Sequence, residues 1–478
     1  MSSSLRPEGA DRSRAGALRQ PKGGARRSAG GPFRSLAVRN FRLFALGQVV
    51  SAAGTWMMVV AQDWAVLSLT DNSPTALGLV TALQFTPVLL LALYGGRLAD
   101  RHDKRALLVA ANLVCGVLAA LLAPLMLTGT LRLWHLYLFA LGLGTASAVE
   151  IPTRMSFVRE MVGPELLPNA SALSAAYFNV ARVAGPAFGG LLVGWLGTGP
   201  VVLLNAVSYL ATVVALRMMR PAELHRGPPG AARARVIDGL RYTASRPDLL
   251  LPLALVAVIG LAGFNFQLTL PLVAKTVFHT SAASFGLLTT ALAAGSLLAA
   301  LVTTSRTTRP SGRLVTGSAL AFGAAETAAG WAPNYLSELL LLAVTGFTTL
   351  YFAQAANHRI QLGADPAFSG RVLAIYALIL QGTTPLGALA VGWLTEHWGA
   401  RSGLYAGGIV SLAAAAVAML LDRPRPGRGD DGDRADGGDR ADGGDRAERE
   451  GDGDREAGRA RETDSRSPET PAVPTTGA

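Results

Sequence analysis

Two charged residues lie in stretches of this 478-residue chain that are otherwise almost wholly apolar. Asp63 lies near the end of the stretch 43–68, and Arg182 lies about midway along the stretch 169–196. A charged side chain at the centre of a bilayer costs roughly 2.5–3.5 kcal/mol on insertion scales, and such residues typically serve proton relays, substrate contacts or ion pairs. Asp63 is therefore a candidate proton carrier, and Arg182 a candidate contact for an anionic or polar molecule.

Each of these residues also has a simpler interpretation. Asp63 is close to the polar turn at Asp71, where it could be hydrated or paired with a cation. Arg182 could neutralise a carboxylate instead of binding a substrate, with Asp63 or Glu150 as its partner. The sequence alone does not choose between these interpretations.

The apolar stretches that carry these residues belong to a longer series. Hydrophobic residues make up 50% of the chain and charged residues 16%. Stretches of about 20 apolar residues match the hydrocarbon thickness of a bilayer, and most of these lack the strict alternation of a membrane β-barrel. The sequence therefore predicts an all-α polytopic membrane protein with twelve transmembrane helices. The predicted spans are 43–68, 76–96, 106–128, 133–152, 169–196, 201–218, 249–273, 283–304, 312–331, 335–356, 370–395 and 401–421.

The connecting segments predict the orientation. With the N-terminus in the cytoplasm, 28 Lys and Arg residues up to Arg371 fall on the cytoplasmic side and 3 on the other side. Cytoplasmic loops of membrane proteins carry such an excess of basic residues. We therefore expect both termini to be cytoplasmic and the protein to be multi-pass in a bacterial plasma membrane.

The longest connecting segment divides the predicted spans into two sets of six, which is typical of a duplicated architecture. A short internal echo supports duplication, since Gly185-Pro186 in the fifth span corresponds to Pro385 in the eleventh. The tails are low in apolar residues, and such composition predicts disorder. The predicted parts are a basic tail 1–40, a bundle 41–218, a cytoplasmic loop 219–248, a bundle 249–421 and an Asp/Arg/Gly-rich tail 422–478.

Several classes of function are excluded by composition. None of the lysines lies in the Gly-rich pattern of a nucleotide-binding loop, and no cluster of residues has metal-ligand spacing. We expect no enzyme activity, no metal and no cofactor. The net charge of +11 does not indicate a nucleic-acid partner, because the basic residues are distributed by membrane side. Any uphill transport must therefore use an ion gradient.

Two motifs resemble those of a known family. Residues 96–105 read Gly-Arg-Leu-Ala-Asp-Arg-His-Asp-Lys-Arg, which resembles the signature after the second helix of the major facilitator superfamily, with Asp103 in place of the second Gly. Gly-Pro-x-x-Gly-Gly at 185–190 resembles the antiporter motif of the fifth helix, with Ala181 where a Gly is expected. Over about 34–421 the chain is similar to the branch that contains the enterobactin exporter and the macrolide-efflux proteins.

The resemblance implies two pseudosymmetric six-helix bundles, a central site near the bilayer midplane, alternating access and export in exchange for protons. It gives a gating role, through charge pairing that closes the inner side, to Gly96, Asp100, Arg101 and Arg105, which Glu150 and Arg154 could join. It implies close helix approach and a bend at Gly185, Pro186, Gly189, Gly190 and Pro385. It also places the helix of Glu326 outside the central set, so that residue is expected near the outer surface of the bundle.

Polar side chains on the helices that would line this central cavity predict a pocket of mixed polar and apolar character. For any one of them, a hydrogen bond between helices is the simpler explanation. The candidates beside Asp63 and Arg182 are Gln48, Gln62, Gln84, Asn179, Asn265, Gln267 and Gln381, with aromatic walls from Trp56, Trp64, Phe85, Phe264 and Phe266.

The function expected from these observations is proton-coupled export of a small, partly apolar molecule, such as an antibiotic, a siderophore or another secondary metabolite. The partners are this substrate, protons and the lipid bilayer, and we expect a monomer. One alternative is an uptake symporter of the same fold. Another is a membrane receptor or scaffold that transports nothing, although intramembrane charges such as Asp63 and Arg182 argue against it.

Overall fold

The computed structural model describes residues 33–225, 236–304, 306, 308–366 and 368–421. Every regular element within these residues is a helix. Most of the two predicted tails and part of the predicted loop 219–248 lie outside the described residues. The helices are α1 (Arg39–Leu69), α2 (Pro74–Arg101), α3 (Lys104–Leu127), α4 (Leu133–Leu196), α5 (Thr198–Arg217), α6 (Val236–Ala244), α7 (Pro247–Ala262), α8 (Phe266–Leu272), α9 (Ala282–Thr303), α10 (Gly312–Gly330), α11 (Tyr335–Gly363), α12 (Ser369–Trp398) and α13 (Ser402–Leu421).

Helix ends follow local sequence signals. Ser73 precedes Pro74 at the start of α2, and its side chain accepts a hydrogen bond from the backbone N–H of Ala76. Asp103 caps α3 in the same way. Such side chains satisfy backbone N–H groups that have no partner within the helix. Gly399 ends α12 with a φ of 85°, a conformation that glycine adopts at little cost.

Ten helices in the described part of the chain are long and apolar enough to cross a membrane. This finding confirms the all-helical, multi-pass membrane fold. α10, with 19 residues, is not among the ten. The count of twelve spans and the orientation of the termini stay predictions.

One of the ten, α4, has 64 residues. At 1.5 Å per residue it would be about 96 Å long, roughly three times the hydrocarbon thickness of a bilayer. The helix breaks at Gly163, which has a φ of 71° and precedes Pro164. The break separates a first arm, 133–162, from a second arm, 164–196. Residues 153–162 and 164–168, which lie between two of the predicted spans, are therefore also helical.

A second break interrupts the predicted span 249–273. Helix α7 ends at Ala262, residues 263–265 are not helical, and α8 begins at Phe266. The side-chain amide of Asn265 donates to the carbonyl oxygen of Leu261 at 2.8 Å, and so occupies a backbone acceptor at the end of α7. A π-helical turn, Val273–Val277, follows α8.

The helices pack in two groups that meet along two seams. Helix α1 packs against α4 and α5, while α9 packs against α11 and α10 packs against α13. One apolar core draws mainly on residues 58–209 and another mainly on residues 253–418. The second arm of α4 meets α9, and α2 meets α12, and these contacts join residues 33–225 (the first half) to residues 236–421 (the second half). The division into two six-helix bundles stays a prediction.

Candidate functional site

A cavity of about 180 Å³ lies where the two halves meet. Helix α1 contributes residues at positions 56, 59, 60 and 63, which share one helix face because residues three or four apart are neighbours. The second arm of α4, the α7–α8 break and α9 form the other walls. The lining residues are Trp56, Val59, Val60, Asp63, Arg182, Pro186, Phe264, Phe266, Gln267, Leu270, Phe285, Thr289, Leu292 and Ala293.

Asp63 supplies the carboxylate of the cavity. The residue is 1% exposed. Neither of its side-chain oxygens has a hydrogen-bond partner among the described residues. A buried charge without a partner is costly, so this position favours a neutral carboxyl group or a bound cation. The structure therefore does not place Asp63 in a hydrated turn near Asp71.

Arg182 supplies the cation of the same cavity. Its guanidinium lies 5.9 Å from the ring centroid of Trp56, within the range of a cation–π contact. Within the described part of the chain, Arg182 forms no ion pair within 4 Å with Asp63, and Glu150 instead pairs with Arg154 at 2.9 Å. Arg182 thus keeps hydrogen-bond donors available to a molecule in the cavity.

Of the predicted cavity residues, Asp63, Arg182 and Gln267 line this cavity, as do the aromatic residues Trp56, Phe264 and Phe266. Gln62 instead donates to Gln84 at 3.4 Å, and Asn179 donates to the carbonyl oxygen of Ala175. Asn265 is occupied at the α7–α8 break, Gln381 is exposed, and neither lines the cavity. Trp64 lies beneath the ammonium of Lys275, at 4.9 Å.

The cavity wall that α9 forms was not predicted from the sequence. Its residues Phe285, Thr289, Leu292 and Ala293 are spaced as one helix face. A helix that meets lipid on one side and protein on the other is apolar all round, so its sequence carries no marker of the cavity side. Glu326 does not line this cavity, as expected, but it is 1% exposed and so is buried rather than near the outer surface.

The two ends of the seam between the halves differ. At the end where α2 begins, here called the Ser73 end, the carboxylate of Glu396 accepts hydrogen bonds from Ser73 Oγ and Thr75 N, each at 3.1 Å. Lys275 donates to Ser68 at the same end, at 2.8 Å. A further hydrogen bond between the halves runs from the hydroxyl of Thr290 to the carbonyl oxygen of Val183, beside the cavity.

Glycines let the backbones meet along this seam. A Cβ at Gly78 of α2 would lie 2.6 Å from the carbonyl oxygen of Ala388, and one at Gly190 would collide with the carbonyl oxygen of Ala282. A Cβ at Gly286 of α9 would collide with the carbonyl oxygen of Pro186. Gly185 and Gly189 allow a close approach of α4 to α1 instead, since their Cβ positions face Trp56 and Met57. Pro385 is buried within α12.

At the opposite end of α2, here called the Asp100 end, Arg105 contacts its own half. Arg105 donates to the carbonyl oxygens of Leu216 and Arg217, at 2.6 and 2.9 Å. Lys104 pairs with Glu160 at 2.7 Å. Asp100 and Arg101 are exposed.

The glycine of the loop motif is not the one that permits close packing. A Cβ at Gly96 would meet nothing within 4 Å, whereas one at Gly95 would collide with the carbonyl oxygen of Ala148. The gating role of these residues stays a prediction. No group of three His, Cys, Asp or Glu side chains in the described ranges could hold a metal ion.

Comparison with known proteins is consistent with this arrangement. A family profile described as transmembrane secretion effector, within the major facilitator superfamily, matches residues 30–433. The chain is 24% identical to the multidrug efflux pump Tap of Mycolicibacterium fortuitum, over 80% of this chain and 96% of that protein. It is 24% identical to the enterobactin exporter EntS of Citrobacter koseri, over 74% of this chain and 85% of that protein.

Solved structures share the fold at low sequence identity. A bacterial homologue of the human lysosomal transporter Spinster, in an inward-facing and unoccupied conformation, superimposes with a TM-score of 0.67 at 16% identity. The match covers 80% of this chain and 96% of that structure. A bacterial homologue of the iron transporter ferroportin, in an inward-facing state, gives a TM-score of 0.60 over 80% of this chain and 98% of that structure, also at 16% identity.

Proposed function

Because the chain belongs to the transmembrane secretion effector family of the major facilitator superfamily, we propose that it exports a small, partly apolar molecule in exchange for protons. The observation that carries the proposal is the carboxylate of Asp63, which is 1% exposed in a cavity between the two halves and has no hydrogen-bond partner within the described ranges. A transporter uses such a group to take up a proton on one side of the membrane and release it on the other.

The cavity wall supports a substrate with both apolar and polar parts. Trp56, Phe264, Phe266 and Phe285 offer apolar and aromatic surface, and Arg182 offers donors for an anionic or carbonyl oxygen. Names of the relatives support export rather than uptake, since one is an efflux pump and another a siderophore exporter. The basic loops support a cytoplasmic Asp100 end.

Alternating access then requires the seam at the Ser73 end to open while the Asp100 end closes. In the conformation described here, hydrogen bonds join the halves at the Ser73 end and beside the cavity. We infer that this conformation is the one that faces the cytoplasm. Exchange requires that the cavity holds either a proton on Asp63 or the substrate, and not both at once.

The test is accumulation of aromatic probes, ethidium among them, in everted membrane vesicles energised by respiration. The wild-type protein should accumulate at least one probe, and an uncoupler should abolish the accumulation. Asp63→Asn should lower gradient-driven accumulation at least about tenfold, the scale of a typical coupling free energy, while downhill movement of the probe persists. Asp71→Asn, the same change at an exposed position in the turn that follows α1, is the matched control.

Three results would contradict the proposal. Full accumulation by Asp63→Asn would remove Asp63 from the coupling. Accumulation that is insensitive to the uncoupler would remove the proton. Absence of accumulation of every probe in everted vesicles, together with uptake in intact cells, would favour the uptake symporter.

A further inference from the structure

A second carboxylate is buried outside the cavity. Glu326 of α10 is 1% exposed, and its Oε2 atom has no hydrogen-bond partner among the described residues. It does not line the cavity that holds Asp63. Burial of an ionised carboxylate without a partner is costly, so a group kept in this state calls for a physical reason.

Two glycines from neighbouring helices make room for this side chain. A Cβ at Gly263, in the break after α7, would lie 2.9 Å from Glu326 Oε2. A Cβ at Gly407 of α13 would lie 3.0 Å from Glu326 Oε1. The carboxyl group therefore lies directly against the backbone of two helices, in a cradle that side chains at either position would fill.

The cradle presents an acceptor to the carboxyl group. The Cβ of a side chain at Gly407, which would lie 3.0 Å from Glu326 Oε1, would also lie 2.7 Å from the carbonyl oxygen of Ala262. Both oxygens are acceptors when the carboxyl group is ionised, so neither can donate to the other. A neutral carboxyl group has an O–H that can donate there, whereas an ionised one has no donor to offer.

Charged groups on the helices packed around α10 do not neutralise Glu326. On α7, Asp248 is bound by Arg246 and Arg309 near the Asp100 end. On α11, Glu338 lies at the level of Glu326, and it too is a carboxylate. The remaining titratable groups on α10, α11 and α13 are Arg313, Tyr335, Tyr351, His358, Arg359 and Tyr405, and none is an ion-pair or hydrogen-bond partner of Glu326 in the described part of the chain.

We propose that Glu326, in the cradle formed by Gly263 and Gly407, is a second protonation site, which exchanges its proton as the α7–α8 break changes shape. The site is distinct from Asp63 and lies in the other half of the molecule.

An aromatic contact links this site to the cavity. Phe322 lies one helical turn before Glu326, and its ring centroid is 5.4 Å from that of Phe264 and 6.4 Å from that of Phe266, both edge-to-face. Phe264 and Phe266 line the cavity. Ionisation of Glu326 requires water or a donor to enter the cradle, which moves the break at residues 263–265 and with it the aromatic wall.

The proton itself is tested by infrared difference spectroscopy on the purified full-length protein in lipid. The wild type should show the C=O stretch of a protonated carboxyl group at neutral pH, and Glu326→Gln should lose that band. The band should disappear as the pH is raised, and the pH at which it disappears should shift when ethidium is added. Gly407→Ala, which crowds Glu326 Oε1, should shift the same transition.

The results that overturn the proposal are equally defined. No loss of a carboxyl band in Glu326→Gln would mean that Glu326 is ionised. A band that responds to neither pH nor ethidium would mean a permanent structural proton, and a band that responds to sodium at constant pH would mean a sodium site. These spectra need no transport, so they separate failure of this site from failure of the exporter proposal.

The exchange step rests on the proposed function and is tested in the everted vesicles. Glu326→Gln should lower gradient-driven ethidium accumulation about tenfold, a typical coupling effect. Glu338→Gln is the matched control, because Glu338 is also 1% exposed and has an unpartnered oxygen, yet has no glycine cradle among the described contacts. Equal accumulation by Glu326→Gln and Glu338→Gln would contradict a role in exchange.

Discussion

The two ends of helix α2 are held in different ways. At the Ser73 end, α2 contacts the second half of the molecule through glycine-backed backbone packing and the carboxylate of Glu396. At the Asp100 end, the neighbouring charges of Lys104 and Arg105 bind residues of the first half. The contacts named at the Ser73 end join the two halves, and those of Lys104 and Arg105 at the Asp100 end lie within the first half.

This difference suggests how one seam can open without unfolding either half. Backbone contacts through glycine have no side chain that can repack gradually, so packed interfaces of this kind tend to be either closed or open. Charges that bind within one half keep that half intact when the seam separates. Each variant below alters one end of the seam. Conformation is measured by the distance between two spin labels in a Cys115→Ala background. One label replaces Thr130, between α3 and α4 of the first half, and the other replaces Pro333, between α10 and α11 of the second half.

The largest effect is expected at Gly190. A methyl group at this position would collide with the carbonyl oxygen of Ala282, and overpacking of this kind costs about 1–3 kcal/mol. Gly190→Ala should therefore lengthen the label distance at the Ser73 end and lower probe accumulation by roughly five- to a hundredfold. Gly194→Ala is the matched control one turn further along α4, where a Cβ meets nothing within 4 Å. Equal label distances and equal probe accumulation in Gly190→Ala and Gly194→Ala would contradict a role for close packing at Gly190.

A smaller effect, and of a different kind, is expected at Arg105. Its guanidinium donates to two carbonyl oxygens at the end of α5. Hydrogen bonds from a charged donor contribute about 1.5–3 kcal/mol, so Arg105→Ala should lower the thermal stability of the purified protein. It should leave the label distance unchanged, as should the exposed control Arg97→Ala. An altered distance at unchanged stability would instead assign Arg105 to the gate.

The smallest effect is expected at Glu396. The carboxylate lies at the N-terminus of α2, where a negative charge is worth about 0.3–1 kcal/mol. Glu396→Gln keeps a hydrogen-bond acceptor and loses the charge, so the open population at the Ser73 end should rise only about two- to fivefold. The rise should shrink at high salt, because the site is exposed. Asp365→Asn, an exposed acid of the same half, should change nothing.

The membrane-spanning character of the chain was predictable because a bilayer imposes a length and a polarity on every helix that crosses it. The same reasoning found Asp63 and Arg182, since a charge in an apolar stretch is visible in sequence. The break after Ala262, inside the predicted span 249–273, was not predicted. Leu255 to Leu261 and the residues after Phe266 are similarly apolar, and hydropathy does not report backbone geometry.

Which polar residues share a site was not predictable either. Gln62 and Gln84 were expected in the cavity but bond to each other, and Asn265 bonds to its own helix. Any amide in a membrane interior needs a partner, and the sequence does not say whether that partner is protein or substrate. Gly95 was missed beside Gly96 for a related reason: adjacent glycines look alike until the helix that approaches them is known.

The sequence by itself determined that this protein lies in a bilayer and which charged residues lie in its membrane-spanning stretches. The reason is that transfer of side chains between water and lipid depends on the composition of a local stretch of chain. Only the tertiary structure decided that Asp63 and Arg182 share a cavity while Glu326 lies in a separate cradle of two glycines. Those assignments depend on which faces of distant helices meet. Helices that are apolar on every side carry little record of that choice.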